Sequence, residues 1–217
     1  SLEGNGSTCS RKELEVLLEK SGLGEHRMYY PYPERWFPMS MYSDQWLPGA
    51  GELNQNLRNY EGERLVLFDE EKVYDQIIAD GRFPEFSNTF LIVAGPERTD
   101  LPVYVKYSND RAKEFMIRTD ILKTEDGCQV RKVPVSHEAK AHVTAMKHWE
   151  EVLGTQYMAA CVKVNRCELK EDAAYFEFLS GHTLEERLDD LRVQKEYGKL
   201  AEALQEYKKL LLECLQQ

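Results

Sequence analysis

Hydrophobic positions recur at helical spacing almost from the start of the chain. Ser10 precedes Arg11-Lys12-Glu13 and leucines at 14, 17 and 18. That is an N-cap, a glutamate at the third helical position and an apolar stripe, and it predicts a helix that Gly22 and Gly24 end. His26 to Tyr30 alternates and is aromatic, which predicts a strand. Pro31-Tyr32-Pro33 should close it, because proline brings no amide to a sheet interior. From Glu34 to Gly62 no period is visible, and Trp36, Phe37, Tyr42 and Trp46 predict a packed loop. Leu65 to Asp80 predicts a helix burying Leu67, Phe68, Tyr74, Ile77 and Ile78, stopped by Gly81. Phe90 to Ala94 is a continuous apolar run closed by Gly95-Pro96, the pattern of a buried strand.

After this point short strands dominate, so Gly95 to Asp100 reads as a boundary between residues 1–95 and 96–217. Strands are predicted at Val103 to Tyr107, Phe115 to Leu122 and Gln129 to Val133. Asp126-Gly127 between the last two is a hairpin signal. Ser136 caps a helix with Ala139, Val143, Met146, Trp149, Val152 and Leu153 on its apolar side, ending at Gly154. Strands at Met158 to Val164 and Ala174 to Leu179 follow. Gly181-His182-Thr183 then opens a helical tail divided at Tyr197-Gly198. No internal repeat is visible.

Composition narrows the function classes. The chain has 217 residues, 28 basic and 38 acidic, and a net charge of −10. An acidic chain lacks the basic face that releases counterions from a polyanion, so nucleic acid is not the expected partner, although a local basic patch remains open. A hydrophobic content of 42% supports a packed core. No apolar run approaches the roughly 20 residues of a membrane-spanning helix, and no basic-then-apolar leader opens the chain. Five scattered cysteines, Cys9, Cys128, Cys161, Cys167 and Cys214, form no CxxC pair and read as reduced thiols of a cytoplasmic protein. His137, His142 and His148 are five and six residues apart. Metal ligands on one helical face want three or four, so no metal site is expected there. The chain also reads as a fragment, cut at both ends.

Three strands, a helix and two more strands from Val103 onward make an order that resembles the small lobe of a protein kinase. The resemblance is carried by Val130-Arg131-Lys132 on the third strand, by the helix from Ser136, and by Phe176-Glu177-Phe178-Leu179-Ser180-Gly181-His182-Thr183-Leu184, which looks like a hinge entering the next helix. It implies that Lys132 holds nucleotide phosphates, that Glu138 steadies it (Glu150 and Glu151 being the alternatives), and that the backbone of Glu177 to Leu179 meets adenine. This sequence departs from the pattern where a glycine-rich loop would cover the phosphates. Ser108-Asn109-Asp110-Arg111-Ala112-Lys113-Glu114 has no glycine, and no HRD-type or DFG-type motif follows the hinge. Phosphoryl transfer by this chain alone is therefore not expected.

The first part resembles something else. Ser7 to Leu14 with Leu17, Leu18, Gly22 and Leu23, then Met28-Tyr29-Tyr30-Pro31-Tyr32-Pro33, are similar to the last helix and strand of a class I S-adenosylmethionine-dependent methyltransferase. Tyr42-Ser43-Asp44, Leu47-Pro48, Leu67-Phe68-Asp69-Glu70 and Phe83 to Val93 extend the likeness to a bacterial family. In that family a methyltransferase is joined to a kinase-like domain, near rhamnan- or O-antigen-type surface-polysaccharide synthesis and sometimes fused to glycosyltransferases. The implied fold class is α+β: a mainly antiparallel sheet with one packed helix, preceded by a helix-strand-helix-strand piece of a Rossmann-like methyltransferase. The glycine-rich turn and ribose-binding acid of that fold are missing before Ser10, so no cofactor is expected in the fragment. Adenosylmethionine, with ATP and Mg²⁺, would belong to the parent.

Tyr30, Tyr32 and Trp36 are candidates for binding an acceptor, because rings stack on sugar faces; the other reading is that they plug the end of the sheet. The implied partner is a glycan or a nucleotide-sugar-derived acceptor. The leucine stripes after Leu184 are open to self-association. The leading function is a fragment of a methyltransferase and kinase-like transferase of bacterial surface-glycan synthesis, inactive in isolation. A non-catalytic kinase-like interaction module and an accessory region of a glycosyltransferase are the alternatives.

Overall fold

The computed structural model describes residues 9–53, 70–96, 100–156 and 164–215. The fold class is α+β. Among the described residues, eight strands form one antiparallel sheet. They are β1 (His26–Tyr32), β2 (Ser40–Ser43), β3 (Leu91–Ala94), β4 (Tyr104–Tyr107), β5 (Ile117–Thr124), β6 (Gly127–Pro134), β7 (Cys167–Lys170) and β8 (Ala173–Glu177), in the order β3-β1-β2-β4-β5-β6-β8-β7. The helices are α1 (Arg11–Lys20), α2 (Glu70–Ala79), α3 (Lys140–Gln156), α4 (Leu184–Val193) and α5 (Tyr197–Leu215). None is long and apolar enough to cross a membrane.

The sheet runs without a break across residues 95 and 96, because β2 pairs with β4 through Ser40↔Lys106 and Met41↔Val105. Strand register puts Tyr30, Tyr32, Tyr42, Tyr104, Ile117, Ile121, Val130, Lys132, Ala174 and Phe176 on one face. Helices cover that face at its two ends. At one end Leu14 and Leu18 of α1, and Tyr74, Ile77 and Ile78 of α2, pack on a cluster of Met28, Tyr30, Tyr32, Tyr42, Leu53 and Phe83. At the other, Val143 and Met146 of α3 meet Ile117, Cys167, Ala174 and Phe176.

Local signals explain most elements. Ser10 and Glu13 form the capping box that starts α1, and Thr183 and Glu186 form another at α4. Gly127 takes a φ of 135° in the β5–β6 hairpin, where a side chain would be strained.

Several expectations are corrected. Pro31 and Tyr32 belong to β1, which ends only before Pro33. The ladder with β3 stops at Tyr29↔Leu91, so Pro31 lies past the last partner on that side and needs no amide there. β3 is an edge strand with Leu91 exposed, not a buried one. Phe115 sits in a 3-10 turn (Lys113–Phe115) before β5, and α3 continues through Gly154 with Trp149 and Leu153 exposed. The tail divides at 194–196, where Lys195 has a φ of 59°; Gly198 is helical. β7 has no counterpart among the predicted elements. The strand predicted at 158–164 and the helix start at 65–69 fall mostly or wholly outside the described residues, as does Cys161. Cys9, Cys128, Cys167 and Cys214 are free thiols.

Candidate functional site: a cationic row on the helical face

One row across the sheet reads Ser40–Lys106–Thr119–Lys132–Ala174, each residue opposite the next on the neighbouring strand. Lys132 occupies the stretch of this face beside α3, half-buried, with its Nζ 5.9 Å from the centre of the Phe176 ring. Burial first, and then repulsion from Arg111, pull its ammonium below the usual lysine value. No carboxylate pairs with it among the described residues.

The β4–β5 loop carries Arg111, whose charge bears on Lys132. The loop is fixed at its far end, because the Ser136 hydroxyl donates to the Lys113 carbonyl at 2.8 Å and the Val135 amide to Met116 at 3.1 Å. The same Ser136 oxygen accepts from the Ala139 amide at the start of α3. One turn of α3 further on, His142 stands edge-on to Phe115, with ring centres 5.3 Å apart. Burial, then the charges of Arg111 and Lys132, hold its imidazole below the ordinary histidine value. Arg111 of the loop, Lys132 of β6 and His142 of α3 thus act on one another electrostatically in a chain whose net charge is −10. Such a group favours an anion, because burial and the charge of Arg111 disfavour the charged forms of Lys132 and His142 until a negative charge arrives.

No family model, curated protein or solved structure matches the chain. The geometry of its residues therefore has to carry the functional argument.

Lys132 and Glu138 are not brought together. Glu138 lies exposed in the turn before α3. Its carboxylate is held below its usual value by its own backbone amide, then by Ser136, with a smaller pull from the charge of Lys113. Of the alternatives, Glu150 is tied to Lys147, which also pairs with Glu151 at 3.4 Å. Glu177 ends β8 with its side chain exposed, and its carbonyl accepts from Asn165 Nδ2 at 2.8 Å. Leu179 is exposed beyond the strand.

The acceptor candidates separate. Tyr30 and Tyr32 are core residues at 0% and 4% exposure. The Tyr30 hydroxyl donates to Asp44 at 2.6 Å, and the Tyr32 ring meets Tyr74 edge-on. Trp36 is 78% exposed under the Arg35 guanidinium. No surface common to the three exists.

Sequence reasoning found Lys132 from its strand but missed Arg111 and His142. The signal was available in part: the glycine-free loop is itself basic at Arg111 and Lys113, and a loop joining two adjacent strands must hang near the neighbouring strand.

The other face of the same strands carries a closed ionic group. Asp120 is 0% exposed and is held by Arg118 Nε at 2.8 Å and Arg131 Nη2 at 2.7 Å. Its charge is fully used by two cations, so it is a structural tie and not a site.

Proposed function

We propose that the chain contributes an anion-binding, kinase-like lobe to a bacterial transferase of surface-glycan synthesis, and that its own share of the work is binding a phosphate group, not transferring it. The observation that carries this reading is Lys132: half-buried in the helical face over the Phe176 ring, under the charge of Arg111, and without a carboxylate partner among the described residues. A half-buried ammonium without a counter-charge costs stability and is kept where a ligand supplies the charge.

The order of β4, β5, β6, α3, β7 and β8 supports a kinase-like lobe, since it is the order the resemblance requires. Binding without transfer is supported by the β4–β5 loop, which carries Arg111 and Lys113 and no glycine, and by Glu138, whose carboxylate is held by its own backbone amide and by Ser136. The methyltransferase likeness of the first part, with its adenosylmethionine, belongs to the same proposal as the setting in which this lobe works.

Titration calorimetry with inorganic pyrophosphate tests it. The chain should bind with an affinity that falls with salt, and Lys132→Ala should weaken binding about tenfold or more. Equal binding by both, or none by either, overturns the reading.

A second reading, self-association through the tail, is favoured by one observation. Tyr197, Leu204 and Leu211 are exposed at seven-residue spacing along α5, with Leu215 beyond them. That spacing is the seam of a helix pair. Sedimentation of the chain and of Leu204→Glu decides it: a monomer at all concentrations removes this reading.

A further inference from the structure

The two edges of the sheet are built differently. β7, at one edge, carries Glu168 and Lys170, exposed and paired at 3.1 Å, and a charged edge discourages a further strand. β3, at the other edge, reads Leu91-Ile92-Val93-Ala94, with no charge, no proline and no bulge to blunt it. Leu91 is 45% exposed on it.

Register shows which backbone groups of β3 are open. The Gly95 amide donates to the Glu25 carbonyl at 2.8 Å, one step beyond the partners His26↔Ala94. Bonded and non-bonded pairs alternate in an antiparallel ladder, so Leu91, Val93 and Gly95 turn their N–H and C=O groups toward β1, while Ile92 and Ala94 turn theirs outward. Those outward groups meet no backbone partner among the described residues. They lie on either side of Val93.

A second β3, run antiparallel about a two-fold axis through Val93, satisfies all of them. Ile92 of each copy exchanges both bonds with Ala94 of the other, and the two Val93 side chains meet as a non-hydrogen-bonded pair, the closer kind of cross-strand contact. The same register sets the exposed Leu91 of each copy against Gly95 of the other, where an added Cβ would find nothing within 4 Å. The glycine leaves room for the leucine. Pro96, the next outward position, has no amide, and the ladder ends there. An unrelated strand would meet the same amides without this matched leucine and glycine.

We propose that β3 is the interface of a two-fold dimer of this chain, in which two sheets join edge to edge into one. The dimer needs neither the anion site nor α5.

Sedimentation of the full chain, with hydrogen exchange read by NMR, tests it in wild type, Ala94→Pro, Leu91→Lys and Leu204→Glu. Proline at position 94 removes an outward amide and leaves the bonds to β1 in place, and lysine at position 91 charges an exposed seam. Wild type should double its mass as concentration rises, with the Ile92 and Ala94 amides becoming protected over the same range. Both β3 variants should lose the dimer, and Leu204→Glu should keep it. The Leu91→Lys result alone suffices if Ala94→Pro fails to fold. A monomer at all concentrations overturns the proposal, as does a dimer that survives both β3 changes or is lost with Leu204→Glu. Slow exchange at Ile92 and Ala94 in the dilute monomer overturns it too, by showing that the edge is already covered within the chain.

Discussion

Arg131 and Lys132 are adjacent on β6 and project to opposite faces of one sheet, and their fates differ completely. Arg131 shares the buried carboxylate of Asp120 with Arg118, and hydrogen bonding to Asp120 raises its pKa against the effect of burial. Lys132 lies over the Phe176 ring, and burial and then the charge of Arg111 lower its pKa. Arg131 is satisfied inside the protein, and Lys132 has no carboxylate partner among the described residues. The lesson is that burial of a charge does not mark a site; burial without a counter-charge does.

The comparison breaks most visibly at Asp120. Asp120→Ala should cost about 3 kcal/mol, the low end for breaking a buried ion pair because Arg118 keeps some access to water. Urea unfolding followed by circular dichroism measures it, and pyrophosphate affinity in the folded variant should be unchanged. A loss of affinity equal to that of Lys132→Ala would show that the two faces are not independent.

The complementary change is Lys132→Met. It should abolish most anion binding while leaving stability unchanged or raised by about 0.5 kcal/mol, since an uncompensated ammonium is removed and its stem is replaced. Destabilisation comparable to Asp120→Ala would instead make Lys132 a structural residue.

Smaller and pH-dependent is the contribution of His142. Its folded pKa lies below the unfolded value, so the unfolded chain takes up the proton first. Stability from this group is full above the ordinary histidine value and declines as pH falls through it. Anion binding runs the opposite way, because protonation adds a third positive charge beside Arg111 and Lys132. Affinity for sulfate, whose own charge is constant in this range, should therefore rise as pH is lowered from neutrality, and His142→Ala should flatten that rise.

The smallest effect expected is at α1. Ser10→Ala removes one half of a capping box on an exposed helix, and should cost about 1 kcal/mol by thermal melting with no change in anion affinity.

How much of this was legible depends on the range over which each signal acts. The cap at Ser10, the helix opening at Gly181-His182-Thr183, the Asp126-Gly127 hairpin and the strand bearing Lys132 are written in neighbouring residues and are legible there. Pro31 was misjudged because its tolerance depends on where a strand sixty residues away stops pairing. The Lys132–Glu138 pair was expected from resemblance, but the pull of backbone amides and of Ser136 keeps Glu138 in its own turn. Tyr30 and Tyr32 looked like a binding platform because side-chain type does not reveal which face of a strand is covered.

Sequence by itself determined the kinds of element, the α+β class, the acidic character and the presence of a lysine on a central strand, because these follow from spacing, propensity and charge along the chain. Tertiary structure alone decided that one antiparallel sheet spans both halves, that the charge of Arg111 bears on Lys132 and His142, and that Trp46 lies between Tyr104 and Phe178. Those facts depend on register and packing between residues far apart in the chain, and no local pattern encodes the partner across the sheet.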